Sequence, residues 1–247
     1  MYKTLMTQET LYILDAKTTA KQMKAAISSV AQILREHKII TEKGFYSLQL
    51  VEQQLRRFKE NYSWQISIER DSPIEFEIVE KIYKETDPVS IELSSECIEV
   101  DFAKKFPFLN LDICILIKNL NEEPISRWHF DLANKKENDV MQPGPLTHVQ
   151  YGGHNPGYRH LDHPLKVPRL NHPPMDIVLL CETVVSNFFP QEWDLIRETP
   201  AWCDAVSISQ RICYSDYFRK VIQTLGCSNT TILHEMDASI WSKSLSS

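Results

Sequence analysis

The sequence predicts an α+β fold: an antiparallel sheet flanked by an N-terminal helical hairpin and C-terminal helices. Two observations carry that expectation. The apolar period is helical before residue 61, two-residue from 62 to about 151, and helical again after 173. Helices, then strands, then helices argue for segregated layers and against a parallel sheet built from alternating strands and helices. At 247 residues and 43% hydrophobic content, the chain can bury a sizeable core. The expected organisation is a helical hairpin over 1–61 and an α+β domain over 62–247, together one compact unit.

The elements follow in order. Met23, Ile27, Val30 and Leu34 keep helical spacing, and Asp15 to Thr19 offer caps for that helix. Phe45, Leu48, Val51, Leu55 and Phe58 define a second helix opened by Thr41. Trp64, Ile66 and Ile68 then alternate with Gln65, Ser67 and Glu69. Ile74, Phe76 and Ile78 do the same after the turn-like stretch Arg70-Asp71-Ser72-Pro73. Further strands are expected over 89–94, 96–102, 111–119, 125–132 and 146–151. Strand 111–119 is the most apolar and should be central. Pro173-Pro174 opens a helix to about Phe189 whose apolar residues surround more than one stripe, so it should be deeply packed. Pro190 starts a short helix carrying Trp193. A long helix from about 204 to Leu225 stops at Gly226. The polar stretch 227–247 reads as one short helix and a frayed tail.

Composition excludes several classes. No run of about 18 apolar residues occurs, so no membrane span is expected, and the first residues lack the apolar core of a secretory signal. The six cysteines show no C-x-x-C spacing, and Cys114 and Cys181 sit in apolar runs. They read as reduced core residues of a cytoplasmic protein rather than disulfides or a zinc site. A net charge of −6 disfavours long duplex DNA as a partner. Residues 127–175 hold six Lys/Arg against four Asp/Glu, a mildly basic patch on an acidic body, which suits a local anionic ligand.

The candidate site lies in that patch. Six of the eight histidines lie between His129 and His172, and four of the six glycines and seven of the thirteen prolines lie in 142–175. Histidine titrates near neutral pH and is a frequent metal ligand. Alternation places Arg127, His129 and Asp131 on one face of strand 125–132, and His148 with Gln150 on one face of strand 146–151. If the two strands pair, His129, Asp131, His148 and Gln150 share one surface. Paired imidazoles beside a carboxylate suit general acid–base catalysis, with His129 and His148 as acid and base and Asp131 orienting an imidazole. The same groups equally suit a divalent metal, which the sequence permits without requiring. Arg127 with Arg159 or Arg169 would hold phosphate. Gly152 and Gly153 permit positive φ and close approach of the backbone to a ligand, and His154 lies beside them. His160, His163 and Lys166 would add to a phosphate-facing loop. His172 is expected to cap or pack. An alternative joins the H-x-D pair His129 and Asp131 to His172 or His234 as an iron-binding triad.

The strings Trp128-His129-Phe130-Asp131, Thr147-His148-Val149-Gln150 and Pro168 through Asp176 give residues 125–189 a layout that resembles bacterial toxin–antitoxin and anti-phage proteins, TumE-like toxins among them. The resemblance covers about a quarter of the chain. It implies a conflict-system protein that acts on RNA or a nucleotide, with a cognate protein partner as a further expectation. The expected function is therefore anionic-ligand binding with His/Asp-assisted ribonuclease or phosphodiester hydrolase action. A non-enzymatic interaction module of a defence complex, with the N-terminal hairpin as docking arm, is the alternative.

Overall fold

A computed structural model describes residues 15–58, 61–80, 87–133, 141–152 and 167–241. Its architecture is α+β, with a seven-stranded antiparallel sheet, an N-terminal helix pair and C-terminal helices. The pair is α1, Thr19–Glu36, and α2, Glu42–Leu55. Asp15 caps a short 3-10 turn that leads into α1. Thr41 caps α2 by accepting from the Gly44 N–H, which satisfies one of the donors a helix start leaves free. Met23, Ile27, Val30 and Leu34 of α1 and Leu48, Val51 and Leu55 of α2 are buried. α1 also packs on the long C-terminal helix, and α2 against the first two strands. The hairpin's apolar faces are thus committed to the core.

The strands are β1 (Ser63–Ile68), β2 (Ile74–Glu75), β3 (Val89–Asp101), β4 (Phe108–Asn119), β5 (Pro124–Leu132), β6 (Thr147–Tyr151) and β7 (Leu170–Asn171). Their order is β1-β3-β4-β5-β6-β7, with β2 also on β3, so the apolar strand β4 is internal as expected. The two strands expected over 89–102 are one, β3. Its register shifts between Ser95 and Cys97, and such an irregularity changes which parity faces the core. A change of parity reads in sequence as a break.

The helices pack on the sheet face that carries Ile91, Leu93, Ile113, Ile115 and Phe130. α3 (Ile177–Phe188) is the most buried, with seven of its twelve residues inaccessible. It begins later than Pro173-Pro174 suggests. Asp176 is its N-cap and accepts from the Leu179 N–H at 3.0 Å, so the prolines lie in the approach to the helix. α4 (Pro190–Ile196) carries Trp193, and α5 (Pro200–Leu225) follows. Gly226 ends α5 at φ −78°, a conformation open to any residue, so its glycine freedom is not what stops the helix.

The stretch after α5 is not frayed up to residue 241. α6 (Ile232–Glu235) leads to Met236, Ala238 and Trp241, all buried. Leu146 donates its N–H to the Met236 carbonyl, and Ala238 donates to the carbonyl of Gly144. The C-terminal segment thus clamps the connection between β5 and β6. Among the described residues no helix is long and apolar enough to cross a membrane.

Candidate functional site

β5 and β6 pair antiparallel with Asp131 opposite His148 and His129 opposite Gln150. Partners in register project to the same face, so the four residues share one surface, opposite the helices. β4 adds a fifth. Asp112 lies opposite Asp131, Cys114 opposite His129 and Leu116 opposite Arg127. The metal-ligating atoms of Asp112, His129 and Asp131 all lie within 4.8 Å of one another. His129 Nδ1 is 3.9 Å from Asp131 Oδ1. Donors that share an ion at about 2.1 Å stand roughly 3–4 Å apart, so small side-chain rotations suffice to bring these three onto one ion.

The electrostatics follow from burial. Desolvation first, then the charge of Asp112, raises the Asp131 carboxyl to about 7, against the opposing pull of Arg169 and Arg127. Asp112 is raised too, by burial and then by Glu96. His129 is lowered to about 4 by burial, with Arg127 and Arg70 adding to the effect. His148 is lowered to about 4 by burial and Arg169, while the Pro145 carbonyl beside it works the other way. The imidazoles are therefore neutral at pH 7. A ring held at about 4 has no proton to give at neutral pH, which disfavours either imidazole as the general acid and leaves the base role open. A neutral ring with a free lone pair is the form that ligates a metal. His148 is 3% exposed, and its Nδ1 and Asp131 Oδ1 are both buried without a hydrogen-bond partner among the described residues.

The other expected residues distribute as follows. Gln150 is on the same face, opposite His129. Arg127 donates from Nε to Cys114 Sγ at 3.2 Å. Arg169 donates to Gln142 Oε1 at 2.5 Å and acts by its charge on Asp131 and His148. Gly152 has the positive φ expected, +78°, but its N–H is bound to the Arg127 carbonyl at 2.7 Å. That amide is therefore spent on the sheet and is not offered to a ligand. Gly153, His154, Arg159, His160, His163 and Lys166 lie outside the described residues. His172 packs its ring edge-on against Phe130 at 5.8 Å, on the helix-facing side of β5. His234 lies in α6 on the rim of a separate groove with Lys220 and Glu235. Neither joins His129 and Asp131, so the triad with a distant histidine is replaced by one with Asp112. The sequence signal for Asp112 was present, a carboxylate inside the apolar run Leu111–Leu116, but its partner depends on the β4–β5 register.

Comparison with protein-family models, with curated proteins and with solved structures yields no match.

Proposed function

We propose that the protein binds a divalent transition-metal ion through Asp112, His129 and Asp131 and uses it to hydrolyse a phosphodiester, with a nucleotide or RNA as the anionic ligand. One observation carries the reading. Two carboxyls and the His129 imidazole meet on one half-buried surface, with His148 opposite Asp131 on the neighbouring strand, and Asp131 Oδ1 and His148 Nδ1 have no hydrogen-bond partner among the described residues. Burying such groups without a partner is costly, and a cation offsets that cost. The mixed nitrogen and oxygen donors suit zinc, manganese or iron better than calcium or magnesium. An ion held by these residues would lower the pKa of a coordinated water towards neutrality. Hydrolysis would then join that water's oxygen to phosphorus as the ester P–O bond breaks, with the water's proton released to solvent and the leaving oxygen protonated from solvent. His148 lies outside that three-residue donor set, across the strands from Asp131, and its neutral ring would accept a hydrogen bond from that water. The charges of Arg127 and Arg169 beside the cluster suit the phosphate.

The test is calorimetric titration of chelator-treated protein with zinc and manganese, alongside cleavage of short RNA and of bis(p-nitrophenyl) phosphate. Asp112→Asn and His129→Ala should each weaken ion affinity about tenfold or more and abolish cleavage. Protein that takes up no ion, or variants that bind as well as wild type, would end the proposal. A toxin–antitoxin or anti-phage setting is supported by the sequence pattern of 125–189, and is tested by cell toxicity or phage protection with wild type against Asp131→Asn. A non-enzymatic interaction module is favoured by a different observation: Phe218, Ile222 and Leu225 form an exposed apolar stripe on α5.

A further inference from the structure

The opposite face of the same strands bounds a cleft of about 590 Å³. Its floor is β4, β5 and β6, its walls are α3 and α5, and the approach to α3 closes one end. A volume of this size is typical of a site for a small organic molecule. We propose that this cleft is a second binding site, taking an uncharged aromatic molecule that carries a hydrogen-bond donor such as a hydroxyl or ring N–H. It is independent of the metal reading, since the two sites lie on opposite faces of the sheet.

Three observations fix the ligand class. Among the described residues none of the lining is Asp, Glu, Lys or Arg, so no side chain of that lining compensates the desolvation of a charged ligand. The lining is aromatic, and two rings keep large exposed areas: Trp128 is 39% and Phe218 46% accessible. Both are already oriented by edge-on partners, Trp128 by Tyr151 at 5.0 Å and Phe218 by Tyr214 at 5.6 Å. A flat ring between them covers apolar surface at little ordering cost. The third is the polarity of His172. Its Nδ1 is 2.7 Å from the Pro173 carbonyl. A carbonyl only accepts, so Nδ1 donates there, and in the neutral ring Nε2 is then the acceptor of a residue that lines the cleft. An acceptor in an apolar wall selects a ligand with a donor.

The experiment is calorimetric titration of the full chain with 2-naphthol and, as the charged counterpart, 2-naphthoate. One molecule of 2-naphthol should bind per chain, and 2-naphthoate at least about tenfold more weakly, because its carboxylate would be desolvated without a partner. Thr183→Phe fills the cleft from α3 and should reduce 2-naphthol affinity at least about tenfold. Asn187→Trp, at the exposed rim of the same helix, does the same without entering the core and covers the case in which the first variant misfolds. Lack of 2-naphthol binding up to its solubility limit overturns the proposal. So does equal affinity for the two probes, or wild-type affinity in both folded variants. A wild-type dimer that Phe218→Ala dissociates, with 2-naphthol unable to compete, would make the cleft a self-association surface and also overturn it.

Discussion

Burial lowers the pKa of His129 and His148 and raises that of Asp131, and these effects bear on stability in opposite pH windows. The imidazoles sit at about 4 in the fold against 6.5 unfolded. Their contribution is present above 6.5 and is lost as pH falls towards 4. Asp131 sits at about 7 against 3.8 unfolded, so its contribution is present below 3.8 and is lost as pH rises through 7. Urea midpoints of metal-free protein should separate the two. Asp131→Asn should gain on wild type as pH rises from about 5 to 8. The His129→Asn/His148→Asn double variant should gain on it as pH falls from about 6.5 to 4.5. Parallel profiles for all three proteins would contradict the assigned environments. At this scale the sequence was half legible. Alternation put His129 with Asp131 and His148 with Gln150, because period two is a local property, and the expected pairing of their two strands brought the four together. Asp112 stayed hidden, since strand pairing is not local and its neighbours two residues away, Asn110 and Cys114, mark no site. Protonation states were hidden as well, because they follow from burial.

Between elements, backbone proximity and caps govern what substitutions do. α2 passes so close to β2 that a Cβ on Gly44 would lie 2.2 Å from the Glu75 carbonyl oxygen. Alanine normally stabilises a helix interior by about 1 kcal/mol relative to glycine. Here Gly44→Ala should instead lower the thermal midpoint, because α2 must move off β2 and break the Thr41 N–H bond to Glu75. Unchanged or raised stability would show that the contact yields easily. Asp176 makes a second case. Its carboxyl is raised by burial while it caps α3. Asp176→Ala should cost about 1–2 kcal/mol through the lost cap. Asp176→Asn keeps an acceptor for Leu179 and cannot take up a buried charge, so its chemical denaturation curve at pH 7 should lie at or above wild type. The N-terminal helix pair was legible because four apolar residues repeat at helical spacing along α1 and five over 45–58. The start of α3 was not, since Pro at the first helical position and Pro before a cap look alike until Asp176 adopts its extended backbone.

Across the whole molecule, one hydrophobic cluster runs from Ala20 in α1 to Trp241 beyond α6. Trp241 contacts the Phe106 ring at 5.0 Å and the Tyr217 ring at 6.2 Å, which ties the C-terminal segment to the loop before β4 and to α5. Trp241→Ala should cost about 3–5 kcal/mol. It should also raise amide exchange at Leu146, whose N–H is held by Met236. Exchange at Leu146 as slow as in wild type would show that the clamp holds without the ring. The layer order was legible from the sequence of periods. The clamp was not, because 227–241 anchors through three buried residues and a few backbone bonds, and neither leaves a periodic trace.

The strand β5 serves two surfaces at once, Trp128 and Phe130 towards the cleft and His129 and Asp131 towards the carboxylate cluster. It therefore has a reading frame of two. A slip of one residue would exchange both sets together, putting indole and phenyl among the acids and acids among the helices. The frame is set by the turn at 120–123, where Glu122 takes φ +63° and the Asn119 N–H meets the Glu123 carbonyl at 3.0 Å, and by the register shift between Ile117 and Lys118 that separates this turn from the site. A one-residue change in the turn keeps both surfaces only if that shift changes with it.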